Sequence, residues 1–247
     1  MNLFFSDLHL SAERPESTKL FIDCLDKASK EATSVFILGD LFDFWAGDDD
    51  SRVPSNEVKL ALRKLTSKGT ELFLTTGNRD FLLGSKFAIQ TGAILLPDYQ
   101  VIPMNKERAL ITHGDILCTR DKSYQRFRKI VRNKLAQKFF LSLPISMRLR
   151  IASDTQNQTL KSVKKKAEQI MDVDPNTVQK LMRKTNTTLL IHGHTHRPKI
   201  HNLKLLGKNH RRVVLGDWYG SNRYVFVSRK NEEKLMLANE YLEYLKS

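Results

Sequence analysis

The chain has 247 residues, 40% of them hydrophobic and 28% charged, with a formal net charge of +14. That length allows a sizeable core without disulfide or metal staples, as one large domain with an insertion or as two small domains. The two cysteines, Cys24 and Cys118, stand far apart in no metal-ligand spacing and read as reduced thiols, and no apolar run reaches the roughly 18 residues that span a bilayer.

The first segment, MNLFFSDLHL, lacks the basic start of a signal peptide and meets a charge at Asp7. It opens a pattern that recurs along the chain: a short β-branched or aromatic run, then abruptly Gly, Asp, Asn or His. The runs are NLFFSDLHL, SVFILGDLFDFW, ELFLTTGNRD, ALITHGD and TLLIHGHTH. Runs of four to six apolar residues closed by turn formers predict buried strands. Between the first of them, Ser17 to Lys30 and Glu57 to Ser67 carry apolar residues at helical spacing, so the core is predicted to be α/β. Toward the end, RRVVLGDWYG and RYVFVSR are expected to pair as antiparallel strands closing a sheet.

In open α/β sheets ligands gather at the carboxyl edges of strands, and here each such edge carries a metal-ligating residue type. Asp7 and His9 stand two apart, as do His194 and His196; Asp40 follows Gly39, Asn78 follows Gly77, and His113 precedes Gly114. A lone Gly-Asp after a strand is more often a turn than a ligand. Five strand ends that supply only Asp, Asn and His are not explained by turn chemistry. Seven oxygen and nitrogen candidates without a thiolate suit Mn²⁺, Fe or Zn²⁺ better than Ca²⁺. Seven is too many for one ion and fits two that share a carboxylate, for which Asp40 is the natural bridge. His192 falls outside this pattern and is expected to orient a ligand or satisfy the backbone.

The ordered motifs D-x-H, G-D, G-N-x-D, H-G-D and G-H-T-H, from Leu3 to about Trp218, resemble the calcineurin-like metallophosphoesterase superfamily. The resemblance implies an α/β sandwich of two mixed β-sheets flanked by helices. It implies one metal on Asp7, His9, Asp40 and His196 and another on Asp40, Asn78, His113 and His194, with a bridging hydroxide held at Asp40. Many relatives place histidine after the metal-binding asparagine, where it can protonate a leaving group. Arg79 stands there in this chain and stays protonated. Its presence favours a leaving group that is already stable, such as a phosphate, and Arg79 is expected to stabilise a phosphate by bidentate hydrogen bonds.

GDLFDFWAGDDD, GNRDFLLG, HGDILCTRDKSYQRFR and IHGHTHRP together are similar to a narrower family, the UDP-2,3-diacylglucosamine pyrophosphohydrolases of bacterial lipid A biosynthesis. That likeness implies water attack at the α-phosphorus, release of UMP and 2,3-diacylglucosamine 1-phosphate, and Mn²⁺ as the ion. It implies substrate contacts at Asn78, Arg79, Asp121, Lys166 and His194. Thr159 stands where the family commonly has serine and Val163 where asparagine is common, and Tyr124 is placed to reach the same phosphate. The run Lys161 to Lys166 reads otherwise as a solvated face.

The charge is concentrated. From Arg120 to Lys166 there are fourteen Lys/Arg against two acids, Asp121 and Asp154. The expected division is a core of residues 1–119 and 167–247 with a helical, basic and apolar insertion at 120–166. From Tyr124 to Lys138, Tyr124, Phe127, Val131 and Leu135 keep one helical spacing among basic residues, and an apolar stretch broken by Pro144 follows. A basic amphipathic helix beside apolar sequence points to an anionic membrane surface and the acyl chains of a lipid; ordinary helix packing is the alternative. The expected protein is a peripheral monomer on the cytoplasmic side of the inner membrane that does not bind nucleic acid. Two rivals stay open: a phosphoesterase acting on nucleic acid or another nucleotide diphosphate, since a polyanion also selects a basic surface, and a non-catalytic scaffold of the same fold. None of the seven candidate ligands is missing, which weighs against the scaffold.

Overall fold

The computed structural model describes residues 1–105, 107–152, 172–205, 207–220, 222–230 and 232–244. One mixed sheet of six strands runs, edge to edge, through Glu232–Leu237 (β11), Tyr224–Arg229 (β10), Asn2–Phe5 (β1), Ser34–Leu38 (β2), Glu71–Thr75 (β3) and Ala93–Leu95 (β4). A second, of five strands, runs through Tyr99–Met104 (β5), Glu107–Thr112 (β6), Leu189–His192 (β7), Lys208–Val214 (β9) and Lys199–Leu205 (β8). In the first, β1, β2 and β3 are parallel; in the second, β6, β7 and β9 are. These are the strands that lead into the motifs.

Their composition follows from burial on both faces. All five residues of β2 and all four of β7 are buried, so the runs are continuously apolar rather than alternating. Between the sheets, Phe4, Phe36 and Phe73 stack across neighbouring strands at 4.7 and 4.9 Å. They pack in one cluster with Ile111, Leu189, Ile191 and Val213 of the facing sheet. The other face of the first sheet is covered by Pro15–Glu31 (α1), Ser55–Ser67 (α2), Ser85–Thr91 (α3) and a C-terminal helix, Ala238–Glu243 (α7). In α1, Phe21, Cys24, Leu25 and Ala28 recur at three- and four-residue steps and form its buried stripe. The far face of the second sheet is closed by Pro175–Thr185 (α6), whose Val178 and Met182 meet Leu110, Leu117 and Leu190. The result is helices, sheet, sheet, helix, and both cysteines are buried and unbridged.

Two expectations are corrected. RRVVLGDWYG and RYVFVSR do not pair with each other: β9 lies between β7 and β8 in the second sheet, whereas β10 lies between β1 and β11 in the first. The connecting segment crosses between sheets because the Leu215 N–H donates to His192 O, at the end of β7, and the Trp218 N–H to Asp7 O, in the loop after β1. The single helix expected over Tyr124 to Lys138 is two, Lys122–Val131 (α4) and Lys134–Leu141 (α5). The break at Arg132 and Asn133 has a local cause, since the Asn133 side chain caps α5 by accepting from the N–H groups of Leu135 and Ala136. Residues 145–152 are also helical.

Candidate metal centre

Six parallel strands, three from each sheet, end around one point. Beyond β1 lie Asp7 and His9, beyond β2 Asp40, beyond β3 Asn78, beyond β6 His113, beyond β7 His194 and His196, and beyond β9 Asp217. Among the described residues, seven non-glycine positions have positive φ, and Asp7, His9, Asp40, His194 and His196 are five of them. Such backbone costs of order 1–3 kcal/mol per residue and concentrates at functional sites. Here it turns side chains inward after β1, β2 and β7.

The donors form two overlapping groups. In the first, His196 Nε2 lies 3.2 Å from Asp7 Oδ1 and 3.4 Å from His9 Nε2. In the second, Asn78 Oδ1 is 2.9 Å from both His113 Nε2 and His194 Nδ1, which are 3.2 Å from each other. Asp40 stands between them: its Oδ2 is 3.9 Å from His9 Nε2 and 3.9 Å from His113 Nε2. The triads Asp7, His9, His196 and Asp7, Asp40, His113 each bring one donor atom per residue within 4.8 Å of the others. All seven candidate ligands are therefore gathered, with Asp40 in the position expected of a bridge.

The donor chemistry fits cations. His113 Nδ1 is 2.9 Å from the Leu38 carbonyl, which only accepts, so that nitrogen carries the ring proton. Nε2 is left to face the Asn78 oxygen, where a positive charge is favoured, whether a proton on the ring, which Asp40 and Asp7 promote against burial, or a cation that takes the lone pairs of both atoms. Asp7 Oδ1 is buried and faces the imidazoles of His196 at 3.2 Å and His9 at 3.9 Å, a setting that suits a carboxylate oxygen only with positive charge beside it. Burial pushes Asp40 up to about 7, the positive side of His113 opposing and the carboxylates of Asp80 and Asp7 adding to the rise. In Asp7 burial works upward too, but the hydrogen bond and charge of His196 hold it well below the usual carboxylate range. Burial lowers His194 to about 4, with His113 adding to the effect. His196 is raised to about 10 against its burial, by Asp217 and Asp7.

Residues other than the seven candidate ligands hold this arrangement. The Asp217 carboxylate is 2.9 Å from His196 Nδ1 and leaves Nε2 to face Asp7. Asp80, wholly buried, accepts from the backbone N–H groups of Gly77, Leu41 and Asp40 and so ties the β2 and β3 ends together. Asp7 Oδ2 accepts from Ser6 Oγ and the His194 N–H, and Asp40 Oδ1 from the Arg79 N–H. Two motif glycines are fixed by close approach: a Cβ at Gly77 would stand 2.1 Å from Asp40 Oδ1, and one at Gly193 2.0 Å from Asp7 Oδ2. His192 is buried, its Nδ1 2.8 Å from Gly193 O, so it serves the backbone.

At the His9 side, Tyr219 stacks on the His9 ring at 4.5 Å, donates its hydroxyl to Asp43 at 2.7 Å, and lies under the Arg14 guanidinium. Arg79 is half-buried and bonds Asp43 through Nη1 at 3.2 Å. Asp121 caps α4, accepting from the Tyr124 N–H. The Tyr124 hydroxyl donates to Asp115 at 2.9 Å, and its ring leans on His194 with centroids 5.7 Å apart. Thr159, Val163 and Lys166 lie outside the described residues.

A model of the calcineurin-like phosphoesterase family matches residues 3–198, the stretch that holds every candidate ligand. The chain belongs to this family. Within it, the phosphoesterase is similar to proteins named UDP-2,3-diacylglucosamine hydrolase. It is 46% identical to that of Proteus mirabilis, over 88% of this chain and 90% of that protein. It is 42% identical to that of Aeromonas hydrophila, over 94% and 96%, and 45% identical to that of Hamiltonella defensa, over 92% and 91%. It belongs to that narrower family as well.

Sequence reasoning missed Asp43, Asp80, Asp217 and Tyr219. A signal existed for Asp217, since VVLGD repeats the strand-then-Gly-Asp pattern of VFILGD. Asp80 closes the quoted GNRD motif without having been given a role. Nothing in the sequence places Tyr219 on His9.

Proposed function

We propose that the chain hydrolyses the pyrophosphate bond of UDP-2,3-diacylglucosamine, with water attacking the α-phosphorus to give UMP and 2,3-diacylglucosamine 1-phosphate, a step of lipid A biosynthesis. The observation that carries this reading is the meeting of seven Asp, Asn and His donors at strand ends in a chain more than 40% identical, almost throughout, to hydrolases of that name. Asp7, His9, Asp40 and His196 are the proposed ligands of one ion and Asp40, Asn78, His113 and His194 of the other, with Mn²⁺ as the physiological metal. Two such ions supply an activated water and charge for in-line phosphoryl displacement.

The chain's own residues do the rest. Arg79, beside ligand Asn78, gives a phosphate two parallel donors when it exchanges Asp43 for the substrate. No residue at that position supplies a proton, and the leaving phosphate needs none. Asn78, Asp121, Tyr124 and His194 are the other proposed substrate contacts within the described residues. Asp121 and Tyr124 meet the substrate with their present bonds kept, the first from the start of α4 and the second through the ring edge left beside His194.

Residues 120–166 form the proposed insertion, with residues 1–119 and 167–247 as the core. Neither α4 nor α5 buries a residue, and Ile130, Leu135 and Phe139 are 64, 78 and 72% exposed. Apolar exposure among Lys122, Arg126, Lys129, Lys134 and Lys138 supports contact with acyl chains and an anionic membrane surface. No described helix is long and apolar enough to cross a membrane. We propose a peripheral monomer on the cytoplasmic face of the inner membrane.

The test is incubation of the protein with Mn²⁺ and UDP-2,3-diacylglucosamine in ¹⁸O-enriched water, followed by phosphorus NMR and mass spectrometry. UMP and the sugar 1-phosphate are the expected products, with the label in UMP. Label in the sugar phosphate reverses the assumed point of attack, and absence of both products refutes the substrate.

A further inference from the structure

The start of the insertion is bolted to one half of the metal centre. Arg132, which ends α4, donates through Nη2 to the carbonyls of Thr76 at 3.0 Å and Gly77 at 2.9 Å, and through Nη1 to the Thr76 hydroxyl. These are the two residues before Asn78. Arg128 donates through Nε to Asp115 Oδ2 at 2.6 Å and pairs with Asp98 at 2.8 Å. Asp115 is buried two residues beyond His113, takes the Tyr124 hydroxyl on the same oxygen, and its carbonyl accepts from Gln125 Nε2. The Tyr124 ring leans on His194. One helix thus reaches the segments bearing Asn78, His113 and His194, which come from both sheets.

We propose that α4 is a brace for this one metal site, in which Arg128 and Arg132 are positioning residues that hold Asn78 and His113 at ligand spacing. The inference rests on the assignment of Asn78, His113 and His194 to one ion and does not depend on the identity of the substrate. A guanidinium is a rigid fork, and Arg132 uses it to fix two consecutive carbonyls of the turn that aims Asn78. Linkage then runs both ways: docking of α4 favours the ion, and the ion favours docking of α4 by the same factor. The sign of the effect separates bracing from simple electrostatics. Two cationic groups near a cation site oppose metal binding, so loss of their charge alone tightens it, whereas loss of a brace weakens it.

The experiment is calorimetric titration of Mn²⁺ into the metal-free full chain. The native protein is expected to take two equivalents. Arg128→Gln with Arg132→Gln should leave one equivalent at native affinity and weaken the other about 10–100-fold, the size of effect usual for residues that orient ligands. Arg126→Gln with Lys129→Gln removes the same charge from the exposed side of the helix and should leave both unchanged or slightly tighter. Arg132→Lys keeps the fold's charge balance but loses the fork, and should weaken the same single equivalent by a smaller factor. In the native protein, Mn²⁺ should slow amide hydrogen exchange over residues 122–132. Unchanged or tighter binding in both Arg132 variants overturns the brace alone, as does equal weakening of both equivalents. A native chain that binds fewer than two equivalents overturns the two-ion assignment and the brace with it.

Discussion

The Asp217 carboxylate meets His196 at its far nitrogen, and that contact decides which nitrogen faces Asp7. Asp217→Ala should therefore weaken one Mn²⁺ equivalent by about 10–100-fold while the other is kept. Titration calorimetry that finds both sites native would remove Asp217 from the centre. Asp40 makes the opposite forecast, because its free oxygen lies equally far from His9 and His113. Asp40→Ala should empty both sites and abolish hydrolysis, and two full equivalents by elemental analysis would show that it is no bridge. Asp80 is a matter of stability: three backbone N–H groups depend on its carboxylate. Each left unpaired costs about 1–3 kcal/mol, so Asp80→Ala should lower the melting temperature even without metal, measurable by calorimetry against the native apoprotein. The candidate ligands stood out in the sequence because Asp, Asn and His are costly at the ends of buried strands unless something compensates them. Asp80 and Asp217 were visible as letters but not as roles, since one serves backbone amides and the other the rear of an imidazole. Tyr219 and Asp43 meet across 176 positions of sequence, and no local pattern encodes that contact.

At the scale of elements, periodicity located α1 and α2 because each buries one stripe against a sheet. It failed on the insertion because α4 and α5 bury no residue fully, so spacing alone carried little packing constraint and Asn133 could end one helix and start another. It also misjudged the basic face, for Arg128, Arg132 and Arg148 turn inward to Asp115, Asp98, Asp49 and backbone carbonyls. β9 and β10 were misread as partners because sequence proximity favours a hairpin, whereas the Leu215 and Trp218 amides are held at strand ends of different sheets. The exposure of α5 makes its role separable from folding. Leu135→Ser with Phe139→Ser changes residues that bear little of the core, where substitutions usually cost within about 0.5 kcal/mol. If they meet acyl chains, each buried methylene forfeited is worth about 0.8 kcal/mol. The double variant should lose at least about tenfold in kcat/KM on the lipid substrate and keep its rate on a small activated phosphodiester and its full metal content. A proportional loss on both substrates with an earlier melt would mark these residues as ordinary packing.

For the whole molecule, the question is what the excess of positive charge does. Most of it lies between positions 120 and 166, but not all of that is available to a partner. Arg120 stands 3.7 Å from Asp174, and Arg128, Arg132 and Arg148 are committed to the core. Lys122, Arg126, Lys129, Lys134 and Lys138 remain exposed on α4 and α5 beside the apolar side chains. A cation close to an anionic bilayer is worth about 1 kcal/mol, and that attraction fades within a Debye length, about 8 Å at physiological ionic strength. Binding to anionic vesicles should thus be steep in salt, while binding to neutral vesicles, driven by apolar insertion alone, should be weak and nearly flat. Lys134→Ala with Lys138→Ala removes two such cations and should cut partitioning onto anionic vesicles by about tenfold or more at low salt, with little difference left at about 0.5 M salt, where screening is short-ranged. Co-sedimentation at both ionic strengths reads this directly. Partitioning that ignores both salt and the two lysines would assign the cationic excess to the nucleotide end of the substrate or to solubility, and would leave the membrane face of the insertion purely apolar.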